Sequence, residues 1–120
     1  MRFDHVTILA KSLESSRLFY RSLPEADVKP SSASGYFEVT FRDNAIGVFD
    51  TARFAEHSGI EKMGQGGAIV QFSVDDVDVY WNQIPEAYRE QGSPPRKMPW
   101  GSYSAYISDP DGNVLEFYRW

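Results

Sequence analysis

Apolar and polar positions change period along the chain, and the changes mark the elements. Residues 3–10 alternate and carry the β-formers Phe3, Val6, Thr7 and Ile8, which predicts a strand. Ser12 then stands where a helix N-cap belongs. Leu13, Ser16, Phe19, Tyr20 and Leu23 follow at helical spacing, and Pro24 stops them. Residues 26–29 read as an edge strand. Residues 36–42 and 45–50 read as two strands joined by a tight Asp43-Asn44 turn, and residues 52–57 as one helical turn.

The same order then returns. Residues 68–74 read as a strand. Asp75 or Asp76 caps a helix whose inner side carries Val77, Tyr80, Trp81 and Ile84. Pro85 bends or restarts that helix and Gly92 ends it. Strands are predicted over 96–100, 103–108 and 113–119. Asp109-Pro110-Asp111-Gly112 forms the turn between the last two. Connectors fall at 30–35, 58–67 and 92–95, where Gly, Ser and Pro gather. Laying Leu13 over Val77 sets Ser12 over Asp76, His5 over Ile69 and Thr7 over Gln71. The result is an internal repeat at an offset of about 64 residues, which predicts two βαβββ modules. One domain is expected over 1–120, with module one at about 1–57, a linker at about 58–67 and module two at about 68–120.

Composition narrows the chemistry. The 120 residues hold no cysteine, which removes disulfides, thiolate metal sites and a cysteine nucleophile. No apolar run is long enough to span a membrane, and the first residues lack the apolar core of a secretory signal. A net charge of −5 argues against nucleic acid as the partner. The expected compartment is the cytoplasm. Aromatics make up 15% of the chain, a surplus that needs a role.

Three stretches resemble the vicinal oxygen chelate superfamily, which includes glyoxalase I, bleomycin-resistance proteins, thiol transferases and extradiol dioxygenases. The first is Phe3-Asp4-His5-Val6, followed by Ser12-Leu13-Glu14 and Phe19-Tyr20. The second is Phe72-Ser73-Val74-Asp75-Asp76. The third is Trp100-Gly101, then Tyr106, then Asp109-Pro110-Asp111-Gly112-Asn113 with Leu115-Glu116. The resemblance implies an α+β fold in which two βαβββ modules curl into a half-open barrel, and it implies a homodimer. It also implies up to four metal-ligand positions on the first and last strands of the modules. His5 and Glu116 are competent there. Ile69 is not, nor is Gly47 or Val48, whichever the register selects. Two ligands make a poor catalytic metal site, so no cofactor is expected unless Gln71, Asp50 or His57 supplies a displaced ligand.

The resulting expectation is a metal-independent small-molecule-binding protein of the bleomycin-resistance type, with a cationic or aromatic ligand in an aromatic-lined cleft. The alternative is a glyoxalase-type lyase or isomerase using a divalent metal on His5 and Glu116, or Glu116 as a metal-free base. A third reading is a regulatory domain with a vestigial cavity. Ligand contacts are expected from His5, Thr7, Gln71, Trp100, Tyr103, Tyr106 and Glu116, with His5 and Glu116 as the catalytic candidates. Each has a structural counterpart: a bonded histidine, a strand-bonding glutamate, or aromatics packed in a core or interface. Glu116 would have a raised pKa if desolvated and unpaired. Trp100 beside Gly101 stands out, because glycine allows close approach. His57 reads as a solvated loop residue. Phe19, Tyr20, Tyr80 and Trp81 read as packing. Asp75, Asp76 and Asp78 lack the glycine and distal glutamate of a calcium loop, and residues 64–67 lack the lysine of a phosphate loop.

Overall fold

Helix starts follow the side chains that can cap them. In the computed structural model, which describes residues 1–29, 35–60 and 69–120, the Ser12 hydroxyl accepts from the Ser15 N–H at 3.2 Å and opens α1 (Leu13–Ser22). Asp76 accepts from the Val79 N–H at 3.0 Å and opens α3 (Val77–Gln83). Asp50 caps α2 (Thr51–Ser58) through the Arg53 N–H at 2.9 Å. Each cap satisfies an amide that has no partner within its helix. Pro85 separates α3 from the short α4 (Glu86–Arg89). The connector residues 30–34 and 61–67, and Ala68 at the head of an expected strand, lie outside the described residues.

The chain divides into two compact units, 1–64 and 65–120, with the boundary inside the expected 58–67 linker. Unit one orders its sheet β1-β4-β3-β2, from β1 (Thr7–Ala10), β2 (Asp27–Lys29), β3 (Tyr36–Phe41) and β4 (Asn44–Asp50). Unit two orders its sheet β5-β8-β7-β6, from β5 (Ile69–Ser73), β6 (Ser93–Lys97), β7 (Tyr103–Ser108) and β8 (Val114–Arg119). In both, the first strand pairs in parallel with the last and the other neighbours are antiparallel. Each unit is therefore a βαβββ module, and the fold is α+β.

Each sheet buries one face under its helix. In unit one Phe19 and Tyr20 of α1 pack edge to face at 4.9 Å, and Phe37, Val39 and Val48 are fully buried. In unit two Tyr80 of α3 stacks at 4.5 Å on Phe117, which stacks in turn on Phe72, while Trp81, Ile84, Ile107 and Leu115 close the layer. Alternation along a strand then sends Glu116 to the opposite face. Among the described residues, no helix is long and apolar enough to cross a membrane.

Four local expectations are corrected. The first strand begins at Thr7, and its last parallel bond runs from the Gly47 N–H to the Val6 carbonyl at 3.0 Å; Arg2, Asp4 and His5 pair with one another in solvent instead. The first hairpin turns on Arg42-Asp43, one residue earlier than the polar pair suggests, because the ladder closes with Phe41 opposite Asn44 and Arg42 takes φ +53°. The strand expected over 96–100 runs over 93–97. Pro94 and Pro95 are tolerated because this strand lies at the sheet edge and bulges between Ser93 and Arg96. Finally, α2 has two turns and carries exposed His57 on a helix, not in a loop.

Candidate functional site

Unit two brings a set of polar side chains onto the sheet face away from α3. Register places Gln71 directly opposite Glu116, and Tyr106 opposite Glu116 on the other side. The Gln71 amide donates to Glu116 Oε1 at 2.7 Å, and the Tyr106 hydroxyl donates to Oε2 at 2.8 Å. Ser104 is fully buried and lies two residues from Tyr106 on the same strand face. Glu116 itself is 4% exposed. Burial pushes its carboxyl upward, but the donors around it, led by Gln71 and Tyr106, outweigh burial and hold it below the usual value. The condition for a raised pKa, an unpaired carboxyl, is not met: Glu116 is paired, ionised at neutral pH and a weakened base. The Tyr106 phenol moves upward through burial and then through Glu116, so it stays protonated as a donor.

A second chain of bonds reaches the surface. The Trp100 indole N–H donates to the Ser102 hydroxyl at 3.0 Å, and Ser102 and Ser104 share a hydrogen bond at 2.8 Å. Trp100 is 63% exposed although its polar atom is anchored. An open cavity of about 240 Å³ adjoins Tyr106, lined also by Gly92, Ser93, Ile107, Ser108 and Val114. Sequence reasoning named Gln71, Trp100, Tyr106 and Glu116 but missed Ser102 and Ser104. Their alternation with Trp100 and Tyr106 on one strand face was the available signal.

Tyr103 goes elsewhere. Its odd position on β7 points it toward α3, where its hydroxyl donates to Asp78 at 2.7 Å and Arg119 lies over its ring. His5 and Thr7 belong to unit one. His5 is exposed, and its Nδ1 meets the Asp4 carboxylate at 2.6 Å. A carboxylate only accepts, so Nδ1 is the donor in this contact. Thr7 stands opposite Gly47, as Gln71 stands opposite Glu116. The open register choice is settled: Gly47, not Val48, is the counterpart of Glu116.

The donor set fits a metal ion poorly. Gly47 and Ile69 have no ligating atom, Asp50 is engaged as a helix cap, and Gln71 turns its N–H to Glu116. Among the described residues, no group of three His, Asp or Glu side chains converges.

A model of the Glyoxalase/Bleomycin resistance protein/Dioxygenase superfamily matches residues 2–117. The chain belongs to that superfamily. A protein of Bacillus subtilis described as uncharacterized protein YraH is 29% identical over 65 residues, which is 53% of this chain and 51% of that protein. The chain thus matches about half the length of that curated relative. Among solved structures, a glyoxalase/bleomycin resistance protein/dioxygenase from Nocardioides superposes with TM-score 0.79 at 19% identity, covering 100% of this chain and 85% of that one. A bleomycin-binding protein solved with bleomycin superposes with TM-score 0.70 at 18% identity, covering 99% and 98%. At these identities the superpositions establish the superfamily fold.

Proposed function

We propose that this superfamily member captures a small cationic or aromatic molecule without a metal, as a cytoplasmic homodimer. One observation carries the reading: the buried carboxylate of Glu116 is committed to Gln71 and Tyr106. A carboxylate offers about four acceptor positions, so roughly two remain for ligand N–H groups. Tyr106, which bonds the carboxylate, also lines an open cavity, and the exposed Trp100 indole offers a further aromatic face, surfaces that favour flat and cationic groups. The net charge of −5 adds weak attraction for cations. The likeness to a bleomycin-binding protein supports the same class of ligand.

The competing reading is a glyoxalase-type metal-dependent lyase or isomerase. The exposed imidazole of His5 favours it. Elemental analysis of untagged protein separates the two, and we expect no stoichiometric zinc, nickel, manganese or iron. A stoichiometric metal that is lost in Glu116→Ala overturns the proposal. In parallel, a panel of cationic aromatics including bleomycin is titrated against tryptophan fluorescence. Binding weakened about tenfold or more by Trp100→Ala is expected. Absence of any quench or thermal shift across the panel rules out capture.

A further inference from the structure

One end of the open sheet face in unit two is hollow. The cavity beside Tyr106 lies where β7 and β8 approach their hairpin, and the register fixes its walls: Ser93 stands opposite Tyr106, and Ser108 opposite Val114. Cross-strand partners point to one side of a sheet, so these four side chains share the face that carries Glu116. The remaining wall is the chain at Gln91 and Gly92, which is pressed onto β7. A Cβ at Gly92 would lie 2.5 Å from the Tyr106 carbonyl oxygen and 3.1 Å from both Ile107 and Trp81, so a residue without a side chain is what lets Gln91 and Ser93 come this close. The Gly92 N–H donates to the Arg89 carbonyl at 3.0 Å and holds the turn.

The lining carries hydrogen-bonding groups and no charge. Among the described residues, no Asp, Glu, Lys, Arg or His borders the cavity. Asp109, next to Ser108, turns its carboxylate to the Asp111 and Asn113 amides. Gln91, Ser93 and Ser108 supply an amide and two hydroxyls. The Tyr106 hydroxyl is given to Glu116, so this ring offers the cavity its face, next to Ile107 and Val114. A charged group entering here would give up hydration with no opposite charge to replace it. A wholly apolar group would strand the two hydroxyls and the amide, at a cost that offsets its own transfer from water. What fits has polar edges and an apolar face. Size narrows the choice: about 240 Å³ exceeds the roughly 150 Å³ that accommodates a benzene ring and falls short of the roughly 300 Å³ at which drug-sized sites begin.

We propose that this cavity binds an uncharged, hydroxyl-bearing ring of single-sugar size, with Gln91, Ser93 and Ser108 as the residues that select it. Val114 and Glu116 stand two residues apart on one strand face, which sets the ring about 7 Å from the carboxylate. Joining the two positions in one molecule, a cation on Glu116 that bears a hydroxylated ring, rests on the ligand-capture reading above. The cavity assignment itself rests on its lining alone.

The test uses the full chain labelled with ¹⁵N and titrated with methyl β-glucoside. Saturable shifts are expected in the Gln91 side-chain amide and in the backbone amides of Ser93, Ile107, Ser108 and Val114. Glucuronate, which adds a charge, and toluene, which lacks hydroxyls, should bind more weakly. Ser93→Ala and Ser108→Ala should each weaken the sugar about fivefold, the equivalent of one ordinary hydrogen bond. Ser108 is exposed, and Ser108→Phe, which fills the cavity, should abolish binding. The alanine variants decide the matter if that one fails to fold. No shift at these amides with the sugar, equal affinity for glucuronate or toluene, or full affinity in both alanine variants overturns the proposal. Sugar-induced shifts in a protein that binds no cationic aromatic support the cavity and sink the capture reading. Tryptophan quenching by the cationic panel with the cavity amides unmoved by sugar does the reverse.

Discussion

At one step of the ladder, unit one sets Gly47 beside Thr7, and unit two sets Glu116 beside Gln71. The backbones agree there, but the chemistry does not. Around Gly47 the space is already filled: an added Cβ would lie 2.6 Å from the Tyr36 hydroxyl and 2.7 Å from the Thr7 hydroxyl. Tyr36 packs edge to face on Phe49, and Phe49 on Phe54 of α2. In unit two Tyr106 turns its hydroxyl to the equivalent strand, and the carboxylate there takes that donor together with the Gln71 amide. The same fold can thus turn one face into packing and its repeat into a polar site. The choice is made by a residue without a side chain on one side and a charged residue on the other.

The largest effect should come from forcing unit one to copy unit two. Gly47→Glu drives a charge into the Tyr36 ring with no donors arranged for it, and a loss of about 3 kcal/mol or more is expected in urea denaturation. Gly47→Ala isolates the steric part at about 1–3 kcal/mol, and adding Tyr36→Phe should return some of it by removing the nearest oxygen. If Gly47→Glu is as stable as the parent, the comparison fails.

The reverse erasure comes next. Glu116→Ala strands two donors and should cost about 2–4 kcal/mol by the same measurement, while Glu116→Gln, which keeps the shape, should cost less. The charge also sets a pH dependence. The folded pKa of Glu116 lies below its ordinary 4.5, so the folded state binds fewer protons than the unfolded chain. Its stabilisation is therefore complete above that value and lost as pH falls through the lower, folded one. The stability gap between the parent and Glu116→Gln should stay constant from neutral pH down to mild acid and then shrink. A gap that widens in acid has the wrong sign for this network.

The smallest effect tests where the units agree. Ser12→Ala and Asp76→Ala remove equivalent caps and should each cost about 1 kcal/mol, measured by thermal unfolding. A much larger loss at one would mean that the repeat is less even than its caps suggest.

The amino-acid sequence by itself determined what depends on near neighbours. A cap must stand just before its helix, so Ser12 and Asp76 were legible. Helix-facing apolar residues recur every three or four positions, so Phe19, Tyr20, Tyr80 and Trp81 were legible as core. The Asp109 turn was legible for the same reason: the Asp109 carboxylate takes the Asp111 and Asn113 amides within four residues. The candidate residues Gln71, Trp100, Tyr106 and Glu116 could also be named, because residue type and alternation expose them. Tertiary structure alone decided which of these meet. Strand pairing joins residues 45 positions apart at Gln71 and Glu116, and no local pattern carries that register. It decided that Gly47 rather than Val48 faces Thr7, that Tyr103 turns to Asp78, and that Glu116 is paired and held ionised. A carboxylate's behaviour follows from the donors around it, and those donors come from other strands.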